Sequence, residues 1–152
     1  MMQRTDIIVN DAVTEDSPLI AELEKKCFSL PWSEAQILNE IQREDALFLK
    51  ATCNDSFAGY VSGQLIYNEF YISNIAVCEH FRGLGVASEL LNELICRLRK
   101  TECVFITLEV RESNIPARRL YEKFDFENLG IRKNFYSRPQ ENACIYTLFF
   151  QK

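Results

Sequence analysis

The sequence predicts an α/β (α+β) chain, with a mixed, mostly antiparallel sheet of about seven strands flanked by about four helices. Three observations predict it. Eleven Phe and six Tyr favour a sheet over a helix bundle. Short links carrying turn residues separate three consecutive apolar runs between Ala46 and Val77, as in antiparallel hairpins. A long amphipathic stripe at helical spacing then follows a glycine-containing loop. The 152 residues, 47% hydrophobic, suit one domain over residues 1–152 with a real core.

The elements follow in the order β-α-α-β-β-β-α-β-α-β-β. Asp6 to Val13 reads as a strand. Ser17 before Pro18 reads as an N-cap with proline at the first helical position. Leu19, Ile20, Leu23 and Cys27 continue at helical spacing until Pro31-Trp32 breaks it. Ser33 with Gln36 forms a capping-box pattern for a second helix carrying Ile37, Leu38 and Ile41. Strands over Ala46–Cys53, Gly59–Tyr67 and Phe70–Val77 come next. The long helix carries an apolar stripe of Val86, Ala87, Leu90, Leu91, Leu94, Ile95 and Leu98. Val104–Val110 is a strand, and Asn114 reads as the N-cap of a helix with Ala117, Leu120, Tyr121 and Phe124. Strands near Phe126–Phe135 and Ala143–Phe150 finish the order. The unit from Phe70 to Val110 should be a crossover between parallel strands, and the other strands should pair antiparallel.

A net charge of −5 and a pI near 5.0 argue against direct nucleic-acid binding, which uses a basic face. The same charge would suit a basic protein or an amine. Cysteines stand at positions 27, 53, 78, 96, 103 and 144, mostly within apolar segments. Met1–Asn10 lacks the apolar run of a signal peptide. No Cys-x-x-Cys pair occurs and His80 is the single histidine, so no metal site is expected. These features predict reduced thiols and a cytoplasmic protein. No apolar run reaches the length of a membrane span.

Arg82-Gly83-Leu84-Gly85-Val86-Ala87 follows a strand and opens a helix. Glycines allow close backbone approach. The first N–H groups of a helix lack intrahelical partners and carry partial positive charge. Together they suit a pyrophosphate; a simple tight turn is the other reading. The loop lacks the Gly-Lys-Ser/Thr ending of a P-loop, and Ser88 stands where a dinucleotide fingerprint needs its third glycine.

Arg82-x-x-Gly85-x-Ala87 resembles the coenzyme A pyrophosphate motif of the GNAT acetyltransferase superfamily, whose strand order fits the whole chain. Further strings resemble its ribosomal-protein-alanine N-acetyltransferase branch. They are Pro31-Trp32-Ser33, Asn74-Ile75-Ala76-Val77, Leu108-Glu109-Val110-Arg111, Ser113-Asn114, Leu120-Tyr121-Glu122 and Gly130-Ile131-Arg132. The resemblance implies acetyl-CoA as cosubstrate and a protein N-terminus as acceptor, in that branch the alanine of a basic ribosomal protein. It implies that Ile75, Ala76 and Val77 line the pantetheine arm, that Gly83, Leu84, Gly85, Val86, Ala87 and Ser88 cradle the pyrophosphate with Arg82 adding charge, and that Asn114 contacts the pantetheine region. It implies Glu109 as proton acceptor and Tyr121 as proton donor. Ile115-Pro116 departs from the small residues common there, but proline is tolerated early in a helix.

Amine acetylation needs a bound thioester, a neutral amine, stabilisation of an oxyanion and protonation of a thiolate. A free strand edge can hold the amide-rich arm, and the Val77 N–H can polarise the thioester carbonyl. An α-amine, with a pKa of about 8, needs little help to deprotonate near neutral pH, whereas lysine at about 10.4 needs more. Taken without the resemblance, Glu109 reads as a strand-end carboxylate beside Arg111, and Tyr121 as a core aromatic. His80 reads as a surface residue, and Trp32 as a core plug or a substrate wall. The acceptor pocket is expected between Phe28–Trp32 and Asn134–Gln140. The alternatives are acetylation of a small amine, an antibiotic or a lysine side chain, and a coenzyme A sensor without turnover; a sensor needs neither Glu109 nor Tyr121.

Overall fold

A computed structural model describes residues 6–151; residues 1–5, half of the amino-terminal stretch read above, and residue 152 lie outside the described residues. The order is β1 (Ile7–Asp11), α1 (Ser17–Cys27), α2 (Glu34–Gln42), β2 (Ala46–Cys53), β3 (Ser56–Ile66), β4 (Glu69–Val77), α3 (Val86–Arg99), β5 (Phe105–Arg111), α4 (Ile115–Lys123), β6 (Glu127–Ser137) and β7 (Gln140–Phe149). Short 3-10 turns occupy Thr14–Asp16 and Glu79–Phe81. The strands form one sheet, β1-β2-β3-β4-β5-β7-β6, in which β4 and β5 are parallel and the other neighbours antiparallel. This is the mixed sheet with four helices that the sequence predicts. Among the described residues, no helix is long and apolar enough to cross a membrane.

Strand alternation splits the core into two layers. Leu49, Ala51 and Cys53 of β2 turn to the α3 and α4 side, where Leu90, Leu91, Leu94 and Tyr121 are buried. Phe48 of β2 and Tyr60 of β3 turn to the α1 and α2 side, against Ile20, Leu23 and Ile37. Period-two alternation sends successive side chains to opposite faces, and so builds both layers from one sheet.

Local differences from the sequence reading have physical causes. Asp16, not Ser17, is the N-cap of α1; its Oδ2 accepts from the Val13 N–H at 2.8 Å. Ser17 begins the helix, and its hydroxyl donates to the Thr14 carbonyl. Leu19 is 52% exposed, while Glu24 is 0% exposed on the buried face of α1. The β2–β3 turn shrinks to Asn54-Asp55, both at positive φ. Such turns match the twist of paired strands, which lets Ser56–Ala58 join β3.

The decisive feature is where the sheet opens. β4 pairs with β5 only from Glu69 to Tyr71. Against β3, Ser62 stands opposite Asn74 but Gly63 opposite Ile72, so Ser73 is an extra residue in β4. Such a bulge bends a strand and can end its pairing. The remainder of β4, through Val77, keeps β3 on one edge and, among the described residues, has no strand on the other. The sheet splits there.

Candidate active site

A cleft of about 770 Å³ opens at this split. Ile75, Ala76 and Val77 of β4 form one wall, and Asn114, Pro116 and Tyr121 form the opposite one. The loop from Arg82 and the start of α3 close its end, and Cys27 and Phe28 bound it at the end of α1. The unpaired edge of β4 therefore faces a space sized for a ligand arm, which can add to it as an extra strand would.

The closing loop is built for an anion. Gly83 and Gly85 have φ of 79° and 93°, and a Cβ at either would meet nothing within 4 Å. Their left-handed backbone, not crowding, demands glycine, and it leaves open space before them. Gly85 is the N-cap of α3 without a capping side chain. The first-turn N–H groups of a 14-residue helix thus face the cleft end, an arrangement that suits an anion such as a pyrophosphate. Val86, Ala87 and Ser88 line the cleft. Leu84 is 47% exposed and is not among the lining side chains, so its part is confined to the backbone. Arg82 lines the cleft but is engaged: Nε donates to the Val77 carbonyl at 3.1 Å and a terminal nitrogen meets Cys27 Sγ at 3.6 Å. These residues fit coenzyme A.

Asn114 caps α4, its side-chain oxygen accepting from the Ala117 N–H at 3.3 Å. The capped helix carries Tyr121 into the cleft wall, 3% exposed and between the rings of Phe126 and Tyr146. Its hydroxyl makes no hydrogen bond among the described residues and is not one of the fully enclosed polar atoms. Burial pushes this phenol well above its ordinary pKa, so it keeps its proton throughout the neutral range.

A second cleft of about 310 Å³ adjoins the first and shares Cys27 and Phe28 with it. Ser29, Leu30 and Trp32 form one side, and Phe135, Tyr136, Ser137 and Arg138 the other. The two loops named from sequence as acceptor walls are brought together here. Trp32 also packs on the core layer under α1 and α2, as a core plug would, while lining this cleft. Arg111 fixes the far wall: it donates to the carbonyls of Pro139 and Arg138 at 2.9 and 3.1 Å, pairs with Glu141 at 3.2 Å and stacks on Tyr136. The other Glu141 oxygen accepts from the Ser113 N–H at 2.6 Å. These contacts hold the Glu141 carboxyl below its usual pKa.

Glu109 lines neither cleft. It does not pair with Arg111; its partner is Arg132, at 3.4 Å, with the two side chains 32% and 58% exposed. An exposed pair of this kind is weak and exchanges with solvent. Glu109 lies near Tyr136, whose pKa is pushed up to about 12 by burial and by the Glu109 charge. His80 is exposed in its 3-10 turn. Among the described residues no cluster of His, Cys, Asp or Glu could hold a metal. The sequence reading missed Cys27 at the join of the clefts and gave Asn74, in the second, no role of its own. A helix end before Pro31-Trp32 carries no signal of what it will face.

Residues 18–126 match the Acetyltransferase (GNAT) family. The [ribosomal protein bS18]-alanine N-acetyltransferase of Haemophilus ducreyi is 34% identical over 93% of this chain and 99% of its own. The Salmonella typhimurium protein of the same name is 36% identical over 89% and 92%. The crystal structure of the Escherichia coli ribosomal-protein-S18-alanine N-acetyltransferase superposes with a TM-score of 0.88 at 31% identity, covering 97% and 96% of the two chains. The split sheet, the glycine loop at the head of α3 and these likenesses agree: the chain belongs to the GNAT acetyltransferase family and is an acetyl-CoA-dependent N-acetyltransferase.

Proposed function

We propose that this cytoplasmic enzyme acetylates the N-terminal alanine of a ribosomal protein, the substrate class named for its relatives. The observation that carries the reading is the junction of two clefts at Cys27 and Phe28. One suits coenzyme A, and the other, walled by two loops, suits the end of a peptide chain. Acetyl-CoA supplies an activated acetyl group as a thioester. The β4 edge and the α3 N-terminus hold it, and the Val77 N–H polarises the carbonyl. Tyr121 donates a hydrogen bond to the departing sulfur. A phenol of raised pKa is a poor acid towards a thiolate in water, but the same desolvation raises the thiolate's pKa and narrows the gap. Glu109, near Tyr136 and outside both clefts, takes the amine proton through water. The net charge of −5 favours approach of a basic protein.

The test is acetyl-CoA turnover on an alanine-initiated peptide containing one lysine, compared with the same peptide blocked at its N-terminus, read by mass spectrometry. The free peptide should gain one acetyl group and the blocked one none. Efficient acetylation of the blocked peptide moves the acceptor to lysine, and acetyl-CoA binding without turnover on any amine makes the chain a sensor.

Replacing Glu109 by Gln should cut kcat/KM about 100-fold at pH 7, within the usual range for a lost general base. An acceptor amine of pKa about 8 gains about tenfold in neutral form between pH 7 and 9. The variant should therefore recover about tenfold over that interval. A flat, wild-type-like profile would remove Glu109 from the proton path.

A further inference from the structure

Glu24 is unexplained by either cleft as described. It is 0% exposed in α1, beside Ile20 and Leu23. Its Oε1 accepts from Asn74 Nδ2 at 2.8 Å. Its Oε2 and the buried hydroxyls of Tyr60 and Ser62 make no hydrogen bond of good geometry among the described residues, although the Tyr60 hydroxyl lies close enough to Glu24 and Asn74 to interact with both. Tyr60 and Ser62 share one face of β3, and Ser62 stands opposite Asn74 in the β3–β4 register. The four side chains make one polar island under α1. Burial raises the Glu24 pKa. A proton on Oε2 would offer a donor to the neighbouring hydroxyl oxygens while leaving Oε1 an acceptor. Buried groups left this poorly satisfied cost stability, and an apolar side chain in place of a buried charge is often neutral or stabilising.

Asn74 ties this island to the reaction. It lines the second cleft, while the next three residues of β4 line the first. The Ser73 bulge immediately before it sets its direction. With Nδ2 committed to Glu24, Oδ1 is the end of the carboxamide left for the cleft. The distinction matters chemically. A neutral primary amine has two N–H donors and one lone pair. An oxygen facing it engages an N–H and leaves the lone pair for the thioester carbon. An amide NH2 facing it would bind the lone pair and block attack.

We propose that Asn74 binds the acceptor amine through Oδ1, and that buried Glu24 is the positioning residue that fixes which end of the Asn74 carboxamide faces the cleft. The proposal rests on the N-terminal amine acceptor argued above. Asn74→Ala should lower kcat/KM for the free alanine peptide about tenfold or more, the scale of one lost hydrogen bond at a reacting group. KM and Kd for acetyl-CoA should stay within twofold. Glu24→Met should give the same peptide-specific loss with an unchanged or higher Tm, a separation that a merely structural role would not produce. Glu24→Gln, which keeps a carbonyl oxygen for Nδ2, should restore most of the peptide kcat/KM. If Glu24→Met does not fold, Asn74→Ala in the cleft wall decides. Peptide kinetics within twofold of wild type in the folded variants overturn the proposal and leave the acceptor reading intact. A wild-type enzyme that does not acetylate the free peptide overturns both.

Discussion

Gly85→Glu is expected to fold and to lose coenzyme A. The substitution meets no protein atom, since a Cβ at Gly85 has nothing within 4 Å. Its cost to folding is confined to a φ of 93°, a strain of about 1–3 kcal/mol. Its carboxylate enters the space before the α3 N-terminus, where the pyrophosphate must lie. Two like charges about 4 Å apart repel by about 4 kcal/mol at an effective dielectric constant of 20. Affinity should therefore fall at least about 100-fold. Calorimetric melting reads this directly. At a coenzyme A concentration about 100 times Kd, the wild type gains about 2.7 kcal/mol of stability through linkage, and the variant should gain almost none. Gly85→Ala separates the two effects, because it carries the strain without the charge and should keep most of the thermal shift. A folded Gly85→Glu protein with unchanged affinity would move the cofactor elsewhere.

Tyr121→Phe should lower kcat by about 100-fold, the scale of a lost proton donor, with acetyl-CoA affinity nearly intact. The ring is held by Phe126 and Tyr146, contacts that Phe preserves. The hydroxyl has no protein partner among the described residues, so removing it strands no buried group and Tm should hold or rise slightly. Single-turnover rates with acetyl-CoA prebound isolate the chemical step. A rate equal to wild type there would return Tyr121 to a packing role.

The sequence alone determined the element order, the parallel pair and the glycine loop, because these follow from local periodicity and turn chemistry. Val86 through Leu98 repeats at helical spacing whatever surrounds it, and Gly83 and Gly85 announce a backbone that other residues avoid. The strings around Asn74, Glu109 and Tyr121 pointed to the chemistry through resemblance. Tertiary structure decided the rest. Leu19 falls in the apolar spacing of α1 yet is 52% exposed, while Glu24, outside that spacing, is 0% exposed; which side of α1 is buried is set by β3 and β4, far away in sequence. Glu109 takes Arg132, not Arg111, because Arg111 is drawn to the carbonyls at the turn into β7 and to Glu141. The two clefts exist because one extra residue at Ser73 turns β4 away from β5. A bulge is a mismatch between paired strands, and a single strand's sequence does not contain its partner's register.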